Sequence, residues 1–218
     1  MGIPNNKTDL EALEHYRMAL TNSKNQPELA QILANFGYGP AVIDQGWVLY
    51  ETAQQSYGIN IKEDDETSEA SAFFKLKKAE LADSYSEHRG IAKVVFNDQT
   101  EILKRLLLST PVSRKYIEWF ETIKKFYTEI QADELLIEKL SRFNITAEVV
   151  ANQITLVEAV EAAKFEYYRE EGESQEATSQ KNTDIEIIRN WMSEFFAIAR
   201  IALKNKPQLL EALGLLVR

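Results

Sequence analysis

Residues 86–94, SEHRGIAKV, recur 107 positions later in the chain as residues 193–201, SEFFAIARI. When residues 1–111 are paired with residues 108–218, 21 of the 111 pairs are identical and no gap is needed. An ordinary composition produces roughly 7 identities by chance in such a comparison. The pattern therefore predicts an internal duplication at an offset of 107, with residues 1–110 as the first repeat and residues 111–218 as the second. We call the two residues of such a pair repeat partners.

Each repeat is predicted to contain five helices in the order medium, short, long, long, short. Helix starts are indicated by capping-box threonines and by prolines that suit the first turn of a helix. In the first repeat these signals are Thr8, Pro27 and Pro40; in the second they are Pro111, Thr146, Thr183 and Pro207. The last helix is predicted to carry Leu209, Leu210, Leu213 and Leu216 on its apolar positions.

Two acidic stretches are interpreted as loops between the long helices of each repeat. In the first repeat Gly58 is predicted to end one long helix, and the loop covers residues 63–69, EDDETSE. In the second repeat the corresponding loop is residues 170–174, EEGES. Both interpretations rest on local polarity and on glycine as a helix-stop signal.

The fold class that follows is all-α, because alternating β-branched runs and hairpin turn signals are lacking. The four long helices are expected to form a bundle in which pseudo-twofold symmetry relates the two repeats, which together make one compact domain. An extended helical solenoid is the alternative, although two repeats are fewer than such arrays usually need.

Charge and composition exclude several classes of protein. The chain has 34 acidic and 25 basic residues, so its net charge is -9. This opposes binding to nucleic acid or to an anionic membrane surface. No stretch approaches the roughly 20 apolar residues of a membrane span, and the first seven residues, MGIPNNK, lack the apolar core of a secretory signal. A cytoplasmic location is therefore expected, and the absence of cysteine excludes thiolate metal sites.

Three residues are the candidates for a metal site: Glu87, Glu194, which is its repeat partner, and His88. Glu87 and Glu194 lie at the edge of an apolar helical face, where a carboxylate more often forms an ion pair or a cap. His88 lies on the apolar face itself, and its repeat partner is Phe195, which favours a structural histidine.

Patterns that would identify an enzyme or a cofactor site are lacking. The Glu-x-x-His motif of di-iron bundles is absent, because Tyr85 stands three residues before His88 and Ala12 stands three residues before His15. No nucleotide-binding loop and no nucleophile elbow occurs. His15 is interpreted as a surface residue because it lies near Glu11 and Glu14.

The function favoured by the sequence is a non-catalytic interaction or scaffold protein, with a protein partner or a second copy of itself and with no cofactor. The alternative is a helical bundle that binds a small ligand or a metal between its two halves. The repeat also predicts that Leu33, Phe36, Leu140 and Phe143 are buried where the short helices meet the long ones.

Overall fold

The computed structural model describes residues 8–215, which form eight α-helices and no β-strand. The helices are α1 (Asp9–Asn25), α2 (Pro27–Asn35), α3 (Pro40–Val95), α4 (Thr100–Arg105), α5 (Tyr116–Gln131), α6 (Glu134–Ser141), α7 (Ala147–Ala202) and α8 (Gln208–Glu211). The prediction of an all-α protein is confirmed. Leu216 and the first seven residues lie outside the described part of the chain.

The prediction of five helices in each half is wrong, because both pairs of long helices are single continuous helices. The helices α3 and α7 each contain 56 residues. Residues 63–69 lie inside α3 and residues 170–174 lie inside α7, so neither acidic stretch is a loop. Glutamate is a good helix former, and a lone glycine such as Gly58 costs only about 1 kcal/mol in a helix interior. The free energy gained when a helix of this length packs against its neighbours exceeds that cost.

Polar side chains of the two acidic stretches and their flanks join α3 to α7. The Asn60 side-chain amide donates to the hydroxyl of Thr178 at 2.9 Å, and the Ser174 hydroxyl donates to the Asp64 carboxylate at 2.6 Å. Hydrophilic sequence at these positions therefore forms bonds between helices and does not mark a break in either helix.

Most predicted helix starts are confirmed by their caps. Thr8 forms a full capping box with Glu11, Pro27 is the first residue of α2, and Pro40 is the first residue of α3. Thr146 accepts a hydrogen bond from the backbone of Val149 before α7 begins. The predicted start at Thr183 is wrong, because its hydroxyl donates to the Ser179 carbonyl in the middle of α7. The predicted start at Pro111 is also wrong, because α5 begins at Tyr116.

The chain divides into two compact units that do not coincide with the two sequence repeats. The terminal unit comprises Met1–Asp65 and Gly172–Arg218, and the central unit comprises Glu66–Glu171. Each unit has its own apolar core, and each combines segments of both α3 and α7. The sequence predicts that the repeats at residues 1–110 and 111–218 together form one compact domain. This statement stays a prediction.

The predicted burial of the short helices is confirmed for leucine and wrong for phenylalanine. Leu33 and Leu140 are fully buried, whereas Phe36 is 46% exposed and Phe143 is 42% exposed. Phe36 is the C-cap of α2, and Gly37 after it has a φ of 93°. Helical periodicity applies only while the helix continues, so a residue that follows its last turn no longer points along the buried face.

Candidate functional site

The structure assigns the three predicted metal candidates to different units. Glu87 and His88 lie in the central unit and Glu194 lies in the terminal unit. Both glutamates are exposed, and His88 is half-buried. Among residues 8–215, none of the three belongs to a group of three donors close enough to share an ion. Their role as metal ligands stays a prediction, which a titration with Zn²⁺ followed at His88 by NMR would test.

His88 is engaged by a tyrosine of α5. Its Nδ1 atom and the Tyr127 hydroxyl form a hydrogen bond of 3.0 Å, and the two rings meet edge to face. Burial lowers the pKa of His88, and the nearby charge of Glu87 opposes this in part. Burial also raises the pKa of Tyr127. Both shifts favour the neutral forms of the two side chains, and their hydrogen bond links α3 to α5.

Two further polar residues of α3 extend this cluster. The Arg89 guanidinium donates to the backbone carbonyls of Leu108 at 3.3 Å and Thr110 at 2.5 Å, so it fixes the segment after α4. Tyr85 is buried beside Arg89. Burial raises the pKa of Tyr85, and the positive charge of Arg89 partly opposes the effect. We call Tyr85, His88, Arg89 and Tyr127 the polar cluster.

Glu194 has a separate environment in the terminal unit. The Tyr38 hydroxyl donates to its carboxylate at 3.2 Å. Burial, together with this carboxylate, raises the pKa of Tyr38 to about 12. The Tyr38 ring also meets Phe195 and Trp191 edge to face. Glu194 therefore takes part in an interaction that orients an aromatic residue of the core.

The interpretation of His15 as a surface residue is wrong. His15 is buried, donates from Nε2 to the Leu213 carbonyl at 3.0 Å and stacks on Phe196 at 5.1 Å. A side chain at Gly214 would clash, because a Cβ atom there would lie 2.5 Å from His15 Nε2. The nearby acidic residues misled the sequence argument, since burial of His15 depends on a segment near the opposite end of the chain.

The central unit also has a surface groove, lined by both apolar and charged residues, that sequence reasoning missed. It lies between the last turn of α3 and one face of α6 and has a volume of about 510 Å³. The residues that line the groove are Val94, Val95, Leu135, Glu138, Lys139, Arg142 and Phe143. The signal available in the sequence was the spacing of Leu135, Glu138, Lys139 and Arg142, which places these four residues on one helical face.

Three groove residues expose large apolar surfaces. Val94 is 72% exposed, Leu135 is 69% exposed and Phe143 is 42% exposed. The repeat partners of Val94 and Phe143 lie in the terminal unit and are exposed too. Ile201, the partner of Val94, is 63% exposed, and Phe36, the partner of Phe143, is 46% exposed. Exposed apolar residues are common singly, but clusters of them mark interaction sites.

No protein-family model, curated protein or solved structure matches this chain significantly. Among the described helices, none has an apolar stretch long enough to cross a membrane.

Proposed function

We propose that this chain is a non-catalytic interaction protein of the cytoplasm, built from a duplicated helical repeat. The observation that carries the proposal is the matched exposure of apolar side chains at repeat partners. Such pairs are Leu10 and Ile117, Phe36 and Phe143, and Val94 and Ile201. Two copies that have diverged to 21 identities in 111 pairs still present apolar surface at these places. Repeated exposed apolar positions are typical of surfaces that bind another protein.

The duplication is supported by helix boundaries and by backbone conformation. The helices α3 and α7 have the same length, and their first residues, Pro40 and Ala147, are repeat partners. The residues with positive φ also pair at the same offset: Gly37 with Asn144, and Leu107 with Gly214. A left-handed residue is uncommon, so two such coincidences at one offset favour a common origin for the halves.

The non-catalytic part of the proposal is supported by the chemistry of the two histidines. His88 shares a hydrogen bond with a tyrosine, and His15 bonds to a backbone carbonyl. Both are used to hold the fold together. The acidic character of the chain favours a protein partner over nucleic acid or an anionic membrane.

The test compares two fourfold variants of the full chain. The first replaces Phe36, Val94, Phe143 and Ile201 by serine. The control replaces Val48, Phe73, Leu76 and Phe165 by serine; these residues are also exposed, but their repeat partners are polar or glycine. Each protein is isolated from native extract, and its mass is measured by light scattering.

We expect the wild type and the control to elute in a complex of defined stoichiometry, and the first variant to elute as a folded monomer. A wild type that is monomeric and lacks a stoichiometric companion would contradict the proposal. Equal loss of the complex in the control would also contradict it, because the paired positions would then have no special role.

A further inference from the structure

The groove in the central unit combines exposed apolar residues with two cations, Lys139 and Arg142. The Lys139 ammonium donates to the Gln99 side chain at 3.0 Å and lies 5.8 Å from the centre of the Phe96 ring. The Arg142 guanidinium lies 5.7 Å from the centre of the Phe143 ring. Among residues 8–215, neither cation has a carboxylate at ion-pair distance.

Two of the three charged residues that line the groove are cations, although the whole chain has 34 acidic and 25 basic residues. Glu138 is the one acidic residue among those that line the groove. The groove therefore has a local positive charge beside its apolar walls, and a bound segment of negative charge would complement it.

Two helical segments supply most of the walls of the groove. They are the last turn of α3, with Val94 and Val95, and the exposed face of α6, whose opposite face is buried through Leu136 and Leu140. An amphipathic helix places apolar side chains at intervals of three and four residues, and these fill a groove between two helices. Acidic residues beside that apolar stripe would reach Lys139 and Arg142.

The repeat partners of the groove residues, which lie in the terminal unit, do not supply the positive charge. The repeat partners of Glu138, Lys139 and Arg142 are the uncharged residues Gln31, Ile32 and Asn35. The repeat partner of Leu135 is Glu28, which forms an ion pair with Lys206. The terminal unit thus retains exposed Phe36 and Ile201 but not the cations, and it serves as an internal control.

We propose that the groove of the central unit binds an acidic amphipathic helix of a partner protein. This inference rests on the proposed interaction function and specifies its ligand. Apolar residues of the partner helix pack against Val94, Leu135 and Phe143, and its carboxylates pair with Lys139 and Arg142. The local cations favour an occupant with acidic flanks, and occupation of the groove by a second copy of this chain is an outcome of the test.

The probe is a fluorescein-labelled synthetic helix of about 18 residues, or five turns, with leucine on one face and glutamate on both flanks. A second peptide carries lysine in place of every glutamate. Binding to the full-length protein is measured by fluorescence anisotropy at low and at physiological salt. We expect the acidic peptide to bind at least about tenfold more tightly than the basic peptide, with an affinity that falls as salt rises.

Charge-reversal variants locate the binding. Replacing Lys139 and Arg142 by glutamate is expected to weaken binding of the acidic peptide at least about tenfold. The control replaces Lys124 and Lys125 of α5, which are exposed and do not line the groove, and is expected to change the dissociation constant less than about twofold. Phe143→Ser should weaken binding strongly, and Phe36→Ser should not. Circular dichroism confirms that each variant is folded.

Three outcomes would overturn the assignment. The first is equal binding of the acidic and basic peptides, and the second is an equal effect of Phe143→Ser and Phe36→Ser. The third is a concentration-dependent dimer that Lys139→Glu with Arg142→Glu disperses, since a second copy would then be the occupant. The interaction function would survive any of these if the fourfold serine variant still loses its native complex, so the two proposals fail separately.

Discussion

The terminal unit and the central unit differ in residue chemistry at four pairs of repeat partners. Four pairs are apolar in the terminal unit and polar in the central unit: Leu20 and Tyr127, Met192 and Tyr85, Phe195 and His88, and Phe196 and Arg89. All four residues of the terminal unit are buried. The same pattern of helix boundaries therefore accepts either four apolar residues or the polar cluster at these positions.

The comparison shows what a polar interior requires. In the central unit the hydroxyl of Tyr127 has His88 as its partner, and the Arg89 charge is solvated by backbone carbonyls near the end of α4. In the terminal unit the segment after α8 is held by α1, because His15 bonds to the Leu213 carbonyl and Asn22 bonds to the Ala212 carbonyl. Each unit thus fixes the end of its short helix, but from a different helix.

The largest expected effect tests whether the two units share one packing plan. Leu33→Ala and Leu140→Ala should each lower the free energy of unfolding by about 2–5 kcal/mol, because both side chains are fully buried. Urea denaturation followed by circular dichroism measures the loss. Leu10→Ala and Ile117→Ala are the exposed controls and should change stability by less than about 0.5 kcal/mol. A loss below about 1 kcal/mol at only one of the buried leucines would break the equivalence of the two sites.

The second prediction concerns the close approach of Gly46 to Trp191 in the terminal unit. A Cβ atom at Gly46 would lie 2.5 Å from the Trp191 ring, so Gly46→Gln should cost about 1–3 kcal/mol of stability through overpacking. The repeat partners of these two residues are Gln153 and Ser84. In a Trp191→Ser background, Gly46→Gln should therefore cost much less.

A double-mutant cycle measures this compensation. We expect a coupling free energy of at least about 1 kcal/mol between the two substitutions, since they share one space. Additive effects would show that the small and large residues at these positions are not matched to each other.

The third prediction tests the polar cluster directly. His88→Phe introduces the residue of the terminal unit but leaves the buried Tyr127 hydroxyl without its partner, so it should cost about 1–3 kcal/mol. Adding Tyr127→Phe removes the unpaired hydroxyl and should recover part of the loss. Thermal and urea denaturation of the two single variants and the double variant provide the cycle. If His88→Phe is as stable as the wild type, the hydrogen bond between His88 and Tyr127 contributes little to the free energy of unfolding.

The smallest expected effect is a dependence of stability on pH that originates in the central unit. Burial holds the pKa of folded His88 below its value of 6.5 in the unfolded chain. The unfolded chain therefore binds a proton first as the pH falls below about 6.5, and stability is lost down to the pKa of the folded state. The variant with both His88→Phe and Tyr127→Phe should lose less stability than the wild type between pH 7 and pH 5. Parallel pH profiles would contradict the role assigned to His88.

Local signals in the sequence determined where most helices begin and which leucines are buried. Thr8, Pro27, Pro40 and Thr146 act through neighbours within one helical turn, and Leu33 and Leu140 lie well inside their helices. Caps and periodicity are properties of a few consecutive residues, so one sequence suffices to predict them. The 21 identities at an offset of 107 are likewise a property of the sequence alone.

Tertiary structure alone decided the continuity of α3 and α7, the exposure of Phe36 and Phe143, and the partners of both histidines. His88 meets Tyr127 across 39 positions of sequence, and His15 meets Leu213 across 198. Periodicity places a side chain on a face of its own helix, but the segment that covers that face is chosen by packing across the whole chain. For the same reason the groove beside α6 became visible only in three dimensions, because Val94 and Leu135 are brought together by the packing of α3 against α6.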